Sequence, residues 1–413
     1  MKILFVHQNF PGQYKHLALH FGRNPAHQVV SIGERKDERK VSFPGVRHLW
    51  YDKPKGAGPA THIYLQGLEA AVRRGQAVVR ACLDLRKEGF IPDLICNHPG
   101  WGEGLYLKEI FPEAKVLSYF EYYYGTVDSD VNFDPEFPAS FDDRFKVPTR
   151  NATQLLSFAA SDWGLSPTHW QRERFPPALR AMISVVHEGI ETRLVRPDPN
   201  AVLKIETHGL ELTRKDEVVT YVSRNLEPYR GFHSFMRALP EILRRRPNAK
   251  VIVVGGDDVS YGRKPTGAKN WREALMKEVG DALDLSRVHF VGKVPYGTFL
   301  NLLQISSVHV YLTVPFVLSW SMLEAMSCGC LIVGSNTPPV REALQEGHNG
   351  LLADFLSPAS IAARVEEALE NGDKLAPLRA RARRTVIERY DLTSVCLPQH
   401  LSLIEWLAAK SAR

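Results

Sequence analysis

The chain has 413 residues, of which 44% are hydrophobic and 24% are charged, and its formal net charge is +6 at pH 7. This length exceeds one ordinary hydrophobic core and predicts two domains of about 200 residues each. The modest positive charge suits an anionic substrate or an acidic membrane surface. It is far weaker than the basic signal of nucleic-acid-binding proteins, so we predict no nucleic-acid partner.

The sequence carries no pattern of a membrane span or a secretion signal. Apolar runs stay shorter than the roughly 18 residues that a spanning helix needs. Lys2 is followed directly by a short apolar strand rather than by a signal-peptide core. The five cysteines are scattered and odd in number, which is typical of a reducing compartment. We therefore predict a cytoplasmic protein, with a peripheral position at the inner face of the membrane as the alternative.

The first half alternates predicted strands and helices, beginning with a buried strand over residues 2–7 and a turn at Pro11-Gly12. Glycine allows the backbone to approach a ligand closely, although a plain strand-to-helix turn explains the same pattern. A long basic helix is predicted over residues 62–88. Such a helix can lie on an anionic membrane, but it more often covers a sheet with its apolar face.

Two further strands of this half end in chemically active residues. The strand over 94–96 leads to His98, and the strand over 115–120 leads to Glu121-Tyr122-Tyr123. Tyrosine rings can hold a sugar acceptor, but they can equally belong to the core. The following Asp128-Ser129-Asp130 has an Asp-x-Asp form without partner ligands, so we interpret it as a solvated loop and predict no metal site.

The second half opens with a strand over 218–223 and a helix that begins at Gly231. Arg224 and Arg230 bracket the loop between them. Because this loop lies at a strand's carboxyl end beside a helix start, the pattern favours phosphate binding over two surface arginines.

Residues 308–335 predict a strand, a short helix and a second strand. Ser321-Met322-Leu323-Glu324 matches a capping box and therefore predicts the helix start. Free amides at such a start suit a phosphate, and the preceding loop, with Leu318, Ser319 and Trp320, would face the ligand. Glu324 either only closes the capping box or holds the paired hydroxyls of a ribose.

The stretch LEAMSCGCLIVGS, which contains Glu324, resembles the nucleotide-sugar site of retaining glycosyltransferases of family four. The resemblance implies α/β architecture in the GT-B fold, with two doubly wound Rossmann-like domains facing each other across a cleft. It implies that Glu324 contacts the ribose and that His98 contacts the transferred sugar. Phe316 stands where the family has another Glu, which leaves the identity of the sugar open.

The same resemblance implies roles for further residues, in two groups. In the donor group, Gly12 faces the donor phosphate, the backbone of Lys293 and Val294 reads the base, and the amides of Ser321, Met322 and Leu323 hold the diphosphate. Gln13, Glu121, Tyr122 and Tyr123 form the acceptor group. Arg224 and Arg230, with His98, are the predicted catalytic residues.

We expect a metal-independent retaining transferase that moves a hexose from a UDP- or GDP-sugar to a glycan or lipid-linked acceptor. No other cofactor is predicted. The predicted divisions are an acceptor domain over 1–190, a nucleotide-sugar domain over 191–391, and a final helical stretch over 392–413 that returns to the first domain. The alternatives are a catalytically weak binder of nucleotide or glycan, a sugar-nucleotide epimerase, and a phosphorylase of the same fold.

Overall fold

A computed structural model describes residues 1–35 and 42–409. The chain forms two compact units. The first consists of Met1–Asn132, Phe137–Gly189 and Thr393–Arg413, and the second of Phe133–Glu136 and Ile190–Leu392. The short segment Phe133–Glu136 departs from the predicted division, because it follows the first 132 residues in the chain but belongs to the second unit.

The first unit is built on a parallel sheet of seven short strands. The strands are β1 (Lys2–Val6), β2 (Gln28–Glu34), β3 (Val46–Tyr51), β4 (Leu94–Asn97), β5 (Lys115–Tyr119), β6 (Trp163–Ser166) and β7 (Ile183–Val185). Their order is β3-β2-β1-β4-β5-β6-β7, and each pairing is parallel. The chain therefore reverses its direction of winding between β1 and β4, which is the switch point of a doubly wound sheet.

Helices connect these strands. They are α1 (Lys15–Gly22), α2 (Gln66–Lys87), α3 (Leu107–Ile110), α4 (Phe141–Arg150), α5 (Ala152–Ala159), α6 (His169–Glu173) and α7 (Pro177–Arg180). The basic helix α2 buries Val78, Cys82 and Leu85, which recur at helical spacing and pack against the sheet. This confirms the interpretation of α2 as a sheet-covering helix.

The second unit contains a small antiparallel hairpin and a second parallel sheet. The hairpin strands are β8 (Val202–Ile205) and β9 (Leu210–Thr213), and the sheet strands are β10 (Val218–Asn225), β11 (Lys250–Gly256), β12 (Val288–Gly292), β13 (Val308–Tyr311), β14 (Leu331–Ser335) and β15 (Leu351–Ala353). The sheet order is β12-β11-β10-β13-β14-β15. Its switch point lies between β10 and β13.

The helices of the second unit follow the same alternation. They are α8 (Phe232–Arg245), α9 (Trp271–Val279), α10 (Tyr296–Ile305), α11 (Trp320–Ser327), α12 (Pro338–Arg341), α13 (Pro358–Glu370) and α14 (Ala376–Tyr390). The final helix, α15 (Leu397–Ala409), belongs to the first unit and buries Ile404 and Leu407 in the same cluster as Ile3 and Phe5 of β1. The prediction of two doubly wound, Rossmann-like halves is confirmed.

Candidate functional site

Both sheets place polar residues at the carboxyl ends of the strands that flank their switch points. In the first unit, His7 directly follows β1 and His98 directly follows β4. In the second unit, the segment up to Arg230 follows β10, and the loop before α11 follows β13. Crevices at such positions are where open parallel sheets bind ligands. We therefore examined the side chains at these two edges, one unit at a time.

A hydrogen-bonded chain of side chains occupies the edge of the first unit. The Asn9 amide donates to His7 Nδ1 at 2.8 Å, and His7 Nε2 lies 2.7 Å from Gln13 Oε1. Because Nδ1 accepts, the proton of the neutral imidazole resides on Nε2 and is donated to Gln13. The Gln13 amide then donates to Glu121 Oε1 at 3.1 Å. The chain thus fixes the orientation of the Glu121 carboxylate, which is one-third exposed.

Gly12 makes this arrangement possible. Its φ of +46° is one that side-chain-bearing residues rarely adopt, and a Cβ atom there would come within 2.4 Å of the His7 ring. The predicted residues Gly12 and Gln13 therefore both lie beside His7, Gly12 against its ring and Gln13 within hydrogen-bond distance of Nε2. The sequence analysis did not single out His7.

His98 lies at the same edge and is almost fully buried. Its ring stacks on Trp101 and Tyr119, with centroid distances of 4.6 and 5.5 Å. The Gly100 amide donates to His98 Nδ1 at 3.2 Å, so the proton of the neutral ring is on Nε2. That Nε2 lies 3.6 Å from Glu121 Oε2, which exceeds a hydrogen bond. His98 is thus arranged as a hydrogen-bond donor rather than as a base.

The structure separates the two predicted acceptor tyrosines from this group. The Tyr122 hydroxyl is buried and donates to Asp130 at 3.1 Å, and burial raises the pKa of Tyr122. Tyr123 packs with its ring against Phe175 at a centroid distance of 5.2 Å. Burial of Tyr122 and the packing of Tyr123 on Phe175 thus give both residues a structural role, and their contact with an acceptor stays a prediction.

The central group of the second unit is the buried guanidinium of Arg230, which is 9% exposed. Its Nη1 donates to the Thr313 hydroxyl at 2.8 Å, to the Val317 carbonyl at 2.9 Å and to the Tyr311 hydroxyl at 3.3 Å. Among the described residues, no carboxylate lies within ion-pair distance of this guanidinium. A buried cation without a paired anion is costly, which makes it a strong point of attraction for an anionic ligand.

Glu227, only three residues before Arg230, is engaged elsewhere. Its carboxylate is buried and accepts hydrogen bonds from the amides of Ser260, Tyr261 and Gly262 at 2.9 to 3.2 Å. This fixes the loop after β11. Consequently the ring of Tyr261 comes within 5.6 Å of the Arg230 guanidinium.

Phe316 completes an aromatic wall around Arg230. It is 4% exposed, and its ring lies 4.8 Å from the Tyr261 ring and 5.5 Å from the Tyr229 ring. The guanidinium carbon of Arg230 lies 5.9 Å from the Phe316 ring centroid. The residue that replaces the family's Glu is thus part of a packed cluster and contributes no carboxylate.

Arg224, the second predicted cation, is exposed at the end of β10. In the described part of the chain it has no hydrogen bond or ion pair. It can therefore approach a ligand without first breaking a contact. Its predicted catalytic role stays a prediction.

The start of α11 differs from the predicted one. The N-cap is Ser319, whose hydroxyl accepts from the Ser321 amide at 3.4 Å, and the helix begins at Trp320. The predicted capping box of Ser321 with Glu324 is wrong, because the helix starts two residues earlier and Glu324 lies within it. The Met322 amide already donates to the Ser319 carbonyl at 3.3 Å. The first free amides of this helix therefore lie closer to Trp320 than predicted, and Leu323 is buried in the core.

One hydroxyl connects the α11 start to Arg230. The Ser319 amide donates to the Tyr311 hydroxyl at 2.8 Å, and the same oxygen receives the bond from Arg230. Arg230 and the observed start of α11 therefore converge on one edge of the sheet. Leu318, which directly precedes Ser319, is half-buried and packs against the core cluster that contains Tyr311 and Leu323.

Glu324 faces outward from α11 to Tyr296, which begins α10. The Tyr296 hydroxyl donates to Glu324 Oε1 at 2.7 Å. Burial and this carboxylate together raise the pKa of Tyr296. Nearby in sequence, Lys293 is exposed and Val294 is half-buried. A Cβ on Gly256 at the end of β11 would come within 2.6 Å of the Lys293 side chain, which places Lys293 at the carboxyl end of the sheet.

Two other features were considered as sites. A depression of about 750 Å³ in the first unit is lined by Lys2, Gln28 and Val46, so it lies at the amino ends of the strands, opposite to His98. In the described residues, the side chains that come close enough to share a metal ion are Asp134, Glu136 and His233. All three side chains already have partners in the second unit. The Asp134 carboxylate lies 2.8 Å from His233 Nε2, and Glu136 forms an ion pair with Arg237.

Comparison with known proteins decides the family. Residues 25–195 match the family described as Glycosyl transferase family 4 group, and residues 205–385 match Glycosyl transferases group 1. The chain belongs to the family-four glycosyltransferases. The described residues contain no helix that is both long and apolar enough to cross a membrane.

Curated relatives of this glycosyltransferase match over part of their length. D-inositol 3-phosphate glycosyltransferase of Acidothermus cellulolyticus is 26% identical over 215 residues, which are 51% of this chain and 46% of the relative. Phosphatidyl-myo-inositol mannosyltransferase of Mycolicibacterium smegmatis is 26% identical over 186 residues, 44% of this chain and 43% of the relative. The chain thus spans about half the length of the curated relatives it matches.

Solved structures of low sequence identity share the fold over the whole chain. Sucrose-phosphate synthase of Thermosynechococcus elongatus superposes with a TM-score of 0.75 at 16% identity and covers 99% of this chain and 100% of the neighbour. HepE of Anabaena, solved in complex with UDP and glucose, has a TM-score of 0.71 at 16% identity and covers 98% and 100%. These likenesses support the fold of the glycosyltransferase, with its two Rossmann-like halves.

Several residues of the candidate site carried no local signal. Tyr311 and Thr313 look like core residues of a buried strand, and only the folded chain reveals them as partners of Arg230. Tyr261 lies in an irregular loop. His7 could have been found, because it follows β1 directly, and the carboxyl ends of neighbouring parallel strands meet at one edge.

Proposed function

We propose that this glycosyltransferase moves a hexose from a nucleotide-diphosphate sugar to a hydroxyl group of a glycan or lipid-linked acceptor, with retention at the anomeric carbon, in surface polysaccharide or glycoconjugate synthesis. The observation that carries the proposal is the convergence of Arg230 and the α11 start on the Tyr311 hydroxyl. A buried, unpaired cation beside a helix N-terminus suits a diphosphate.

In the proposed reaction, the bond between the anomeric carbon and the β-phosphate oxygen breaks, and its electron pair stays on the phosphate. The acceptor hydroxyl oxygen bonds to the same face of the sugar. Its proton passes to the departing phosphate oxygen. Arg230, Arg224 and the first amides of α11 stabilise the negative charge that develops on this leaving group.

We infer the roles of the remaining residues from the family resemblance, and their geometry supports them. Glu324 and Tyr296 form a polar pair that suits the ribose hydroxyls, and the backbone near Lys293 suits the base. In the first unit, His98 donates its Nε2 proton to a sugar hydroxyl. The Glu121 carboxylate, which Gln13 orients, accepts a hydrogen bond from the acceptor.

The proposal needs no metal ion, because two guanidinium groups supply the positive charge that a metal would bring. The UDP and UDP-glucose complexes of HepE support a nucleotide-sugar donor. The inositol-phosphate relatives support a polyol or lipid-linked acceptor. All five cysteines are free and buried, which supports a reducing compartment, and we propose the cytoplasmic face of the membrane as the place of reaction.

The test is a thermal-shift panel of UDP- and GDP-sugars, followed by measurement of nucleotide release with candidate acceptors in the presence of EDTA. Nuclear magnetic resonance of the product then gives the anomeric configuration. Inversion at that carbon refutes retention, and dependence on an added metal refutes the two-guanidinium mechanism.

The packed Phe316 wall favours a second candidate, a binder of nucleotide or glycan without turnover. A binder shows a thermal shift but releases no nucleotide with any acceptor. An epimerase changes the sugar nucleotide without an acceptor. A phosphorylase would contain pyridoxal phosphate, which is visible in the absorption spectrum.

A further inference from the structure

The loop that follows β11, residues 257–270, is held in place by side chains on both sides of its Tyr261. The buried carboxylate of Glu227 accepts hydrogen bonds at 2.9 to 3.2 Å from three successive amides, those of Ser260, Tyr261 and Gly262. Further along, the Trp271 indole donates to the Arg263 carbonyl at 2.8 Å. A buried carboxylate is costly without such donors, so Glu227 and the loop stabilise each other, and the shape of the loop is set without a ligand.

This loop presents the ring of Tyr261 at the edge of the proposed diphosphate site. The ring lies 5.6 Å from the guanidinium carbon of Arg230. It also packs at 4.8 Å from the Phe316 ring and at 6.0 Å from the Tyr229 ring. Phe316 is 4% exposed, whereas Tyr261 is 39% exposed. The aromatic cluster thus supports Tyr261 and leaves part of it accessible beside the cation.

The layers of the second unit indicate which part of a nucleotide sugar Tyr261 would meet. The winding of the sheet reverses at its switch point, so the helices after β10 and β11 cover one face and those after β12 and β13 cover the other. Accordingly, α8 packs with α9, and α10 packs with α11. Tyr261 belongs to the loop that leads into α9, whereas Tyr296 and Glu324 lie on α10 and α11.

A diphosphate bound at Arg230 and the α11 start would therefore lie between two different surroundings. The ribose, in the proposed function, lies at Glu324 and Tyr296, in the layer of α10 and α11. The hexose is attached to the other end of the diphosphate. It would extend away from that layer, toward the side of α8 and α9 on which Tyr261 lies.

We propose that Tyr261 binds the hexose of the donor with its ring and is a specificity-determining residue for the transferred sugar. This inference rests on the proposed function and deepens it. Aromatic rings bind a pyranose through its carbon–hydrogen face, by dispersion and by burial of apolar surface.

The same cluster limits the class of sugar that fits. Its members Tyr229, Tyr261 and Phe316 carry no carboxylate, and the carboxylate of Glu227 is already engaged by loop amides. A sugar hydroxyl pointed at the rings would lose its hydration without gaining a charged partner. The expected donors therefore present carbon–hydrogen or methyl groups to Tyr261, as 6-deoxyhexoses do.

The experiment is isothermal titration of the full chain with nucleotides and their sugar conjugates, without acceptor. UDP is compared with UDP-glucose and UDP-6-deoxyglucose, and GDP with GDP-mannose and GDP-6-deoxymannose, and the series whose free nucleotide binds more tightly is used. The variants are Tyr261→Ser, which removes the ring, and Tyr261→Phe, which keeps it. Both leave the backbone amide that Glu227 binds. The matched control is Leu285→Ser, because Leu285 is 53% exposed and lies just before β12, at the amino end of the sheet.

We expect Tyr261→Ser to weaken binding of the sugar conjugates by about tenfold and binding of the free nucleotide by less than about twofold, since only the conjugates carry the hexose. Tyr261→Phe and the control should bind all three ligands as the wild type does. The 6-deoxyhexose conjugate should bind to the wild type at least as tightly as the hexose conjugate.

A second measurement detects the contact directly. In saturation-transfer difference spectra of the hexose conjugate, the signals of the hexose C–H protons should fall in Tyr261→Ser relative to the ribose H1′ signal. Unchanged signals and affinities would overturn the proposal, as would a wild type that binds the 6-deoxyhexose conjugate more weakly than the hexose conjugate.

The remaining outcomes separate this inference from the proposed function. Equal weakening of nucleotide and conjugate by Tyr261→Ser would also overturn the role in sugar binding, because it would assign the ring to Arg230 or to the base. If neither UDP nor GDP binds to the wild type, the proposed function itself fails and this inference fails with it. If the free nucleotide binds and the ring has no effect on the conjugate, only the role of Tyr261 is refuted.

Discussion

Replacement of Arg230 by Met tests the proposed diphosphate site most directly. The three hydrogen bonds of Arg230 to the protein all start from Nη1. Among the described residues, Nη2 and Nε have no acceptor, so these two nitrogens can each donate one hydrogen bond to a phosphate. At about 1.5 kcal/mol for each charge-assisted hydrogen bond, their loss costs about 3 kcal/mol, which is about a hundredfold in the Kd for UDP.

The effect on folding should be much smaller. Arg230→Met leaves the Thr313 hydroxyl and the Val317 carbonyl without their donor, at about 1 kcal/mol each. The substitution also removes a buried charge that has no carboxylate partner among the described residues. The stability gained in this way offsets much of the stability lost with the hydrogen bonds. We expect the free energy of unfolding to change by less than about 2 kcal/mol. Binding and stability are therefore separated in one variant.

The assay is isothermal titration of UDP together with urea unfolding. Arg287→Met is the matched control, because Arg287 Nη1 also donates to three acceptors, the carbonyls of Leu243, Arg246 and Pro247, at the other end of the unit. It should lose stability by about 1–3 kcal/mol and keep its UDP affinity. An unchanged Kd in Arg230→Met, measured on a folded protein, would refute the anion site.

Three further predictions concern the first unit and the buried histidines. Gly12→Ala should destabilise the protein by about 1–2 kcal/mol and depress turnover through the displaced His7 ring, whereas Gly56→Ala, with open space around it, should do neither in the same melting and turnover assays. Ile404→Ala should cost about 2–5 kcal/mol in urea unfolding, because Ile404 is fully buried in the core of the first unit, and a change below about 1 kcal/mol would contradict that packing. Burial lowers the pKa of His309 to about 3, so the unfolded chain binds the extra proton below its ordinary value of 6.5. Burial also lowers the pKa of His187 to about 3 and that of His400 to about 4. Well above pH 6.5 these histidines do not reduce the free energy of unfolding, whereas at pH 5.5 each should reduce it by about 1 kcal/mol. The variant His309→Gln should therefore show a weaker pH dependence of the melting temperature.

Much of the architecture could be predicted because it depends on local patterns. Short apolar runs separated by helical spacing specify a doubly wound sheet, and a turn after each strand marks its carboxyl end. This was enough to place Arg230 and His98 at strand ends. It also placed the basic helix α2, whose apolar stripe has the helical period, and the packing of that stripe on the sheet decided between a covering helix and a membrane-bound one.

Local patterns did not predict where α11 begins, because two serines close in sequence compete as its N-cap. Ser319 and Ser321 can each cap α11, and the folded chain selects Ser319 because the Tyr311 hydroxyl, from the end of β13, receives the Ser319 amide. That choice moves Glu324 from a cap position to a partner of Tyr296, 28 positions earlier in the chain. A contact between residues so far apart in sequence leaves no mark on either segment alone.

The sequence by itself determined the two α/β halves and the residue types at the strand ends, since these follow from periodicity and from side-chain chemistry. The family came from the resemblance of the stretch LEAMSCGCLIVGS and from the comparison with known proteins. Only the tertiary structure decided which of those residues act together. It showed that Glu227 is engaged by loop amides while Arg230 has no carboxylate partner among the described residues, and that Phe141 and Phe145 face solvent rather than a core. The physical reason is that burial and charge pairing depend on neighbours brought together by folding, and periodicity reports only the face on which a side chain lies.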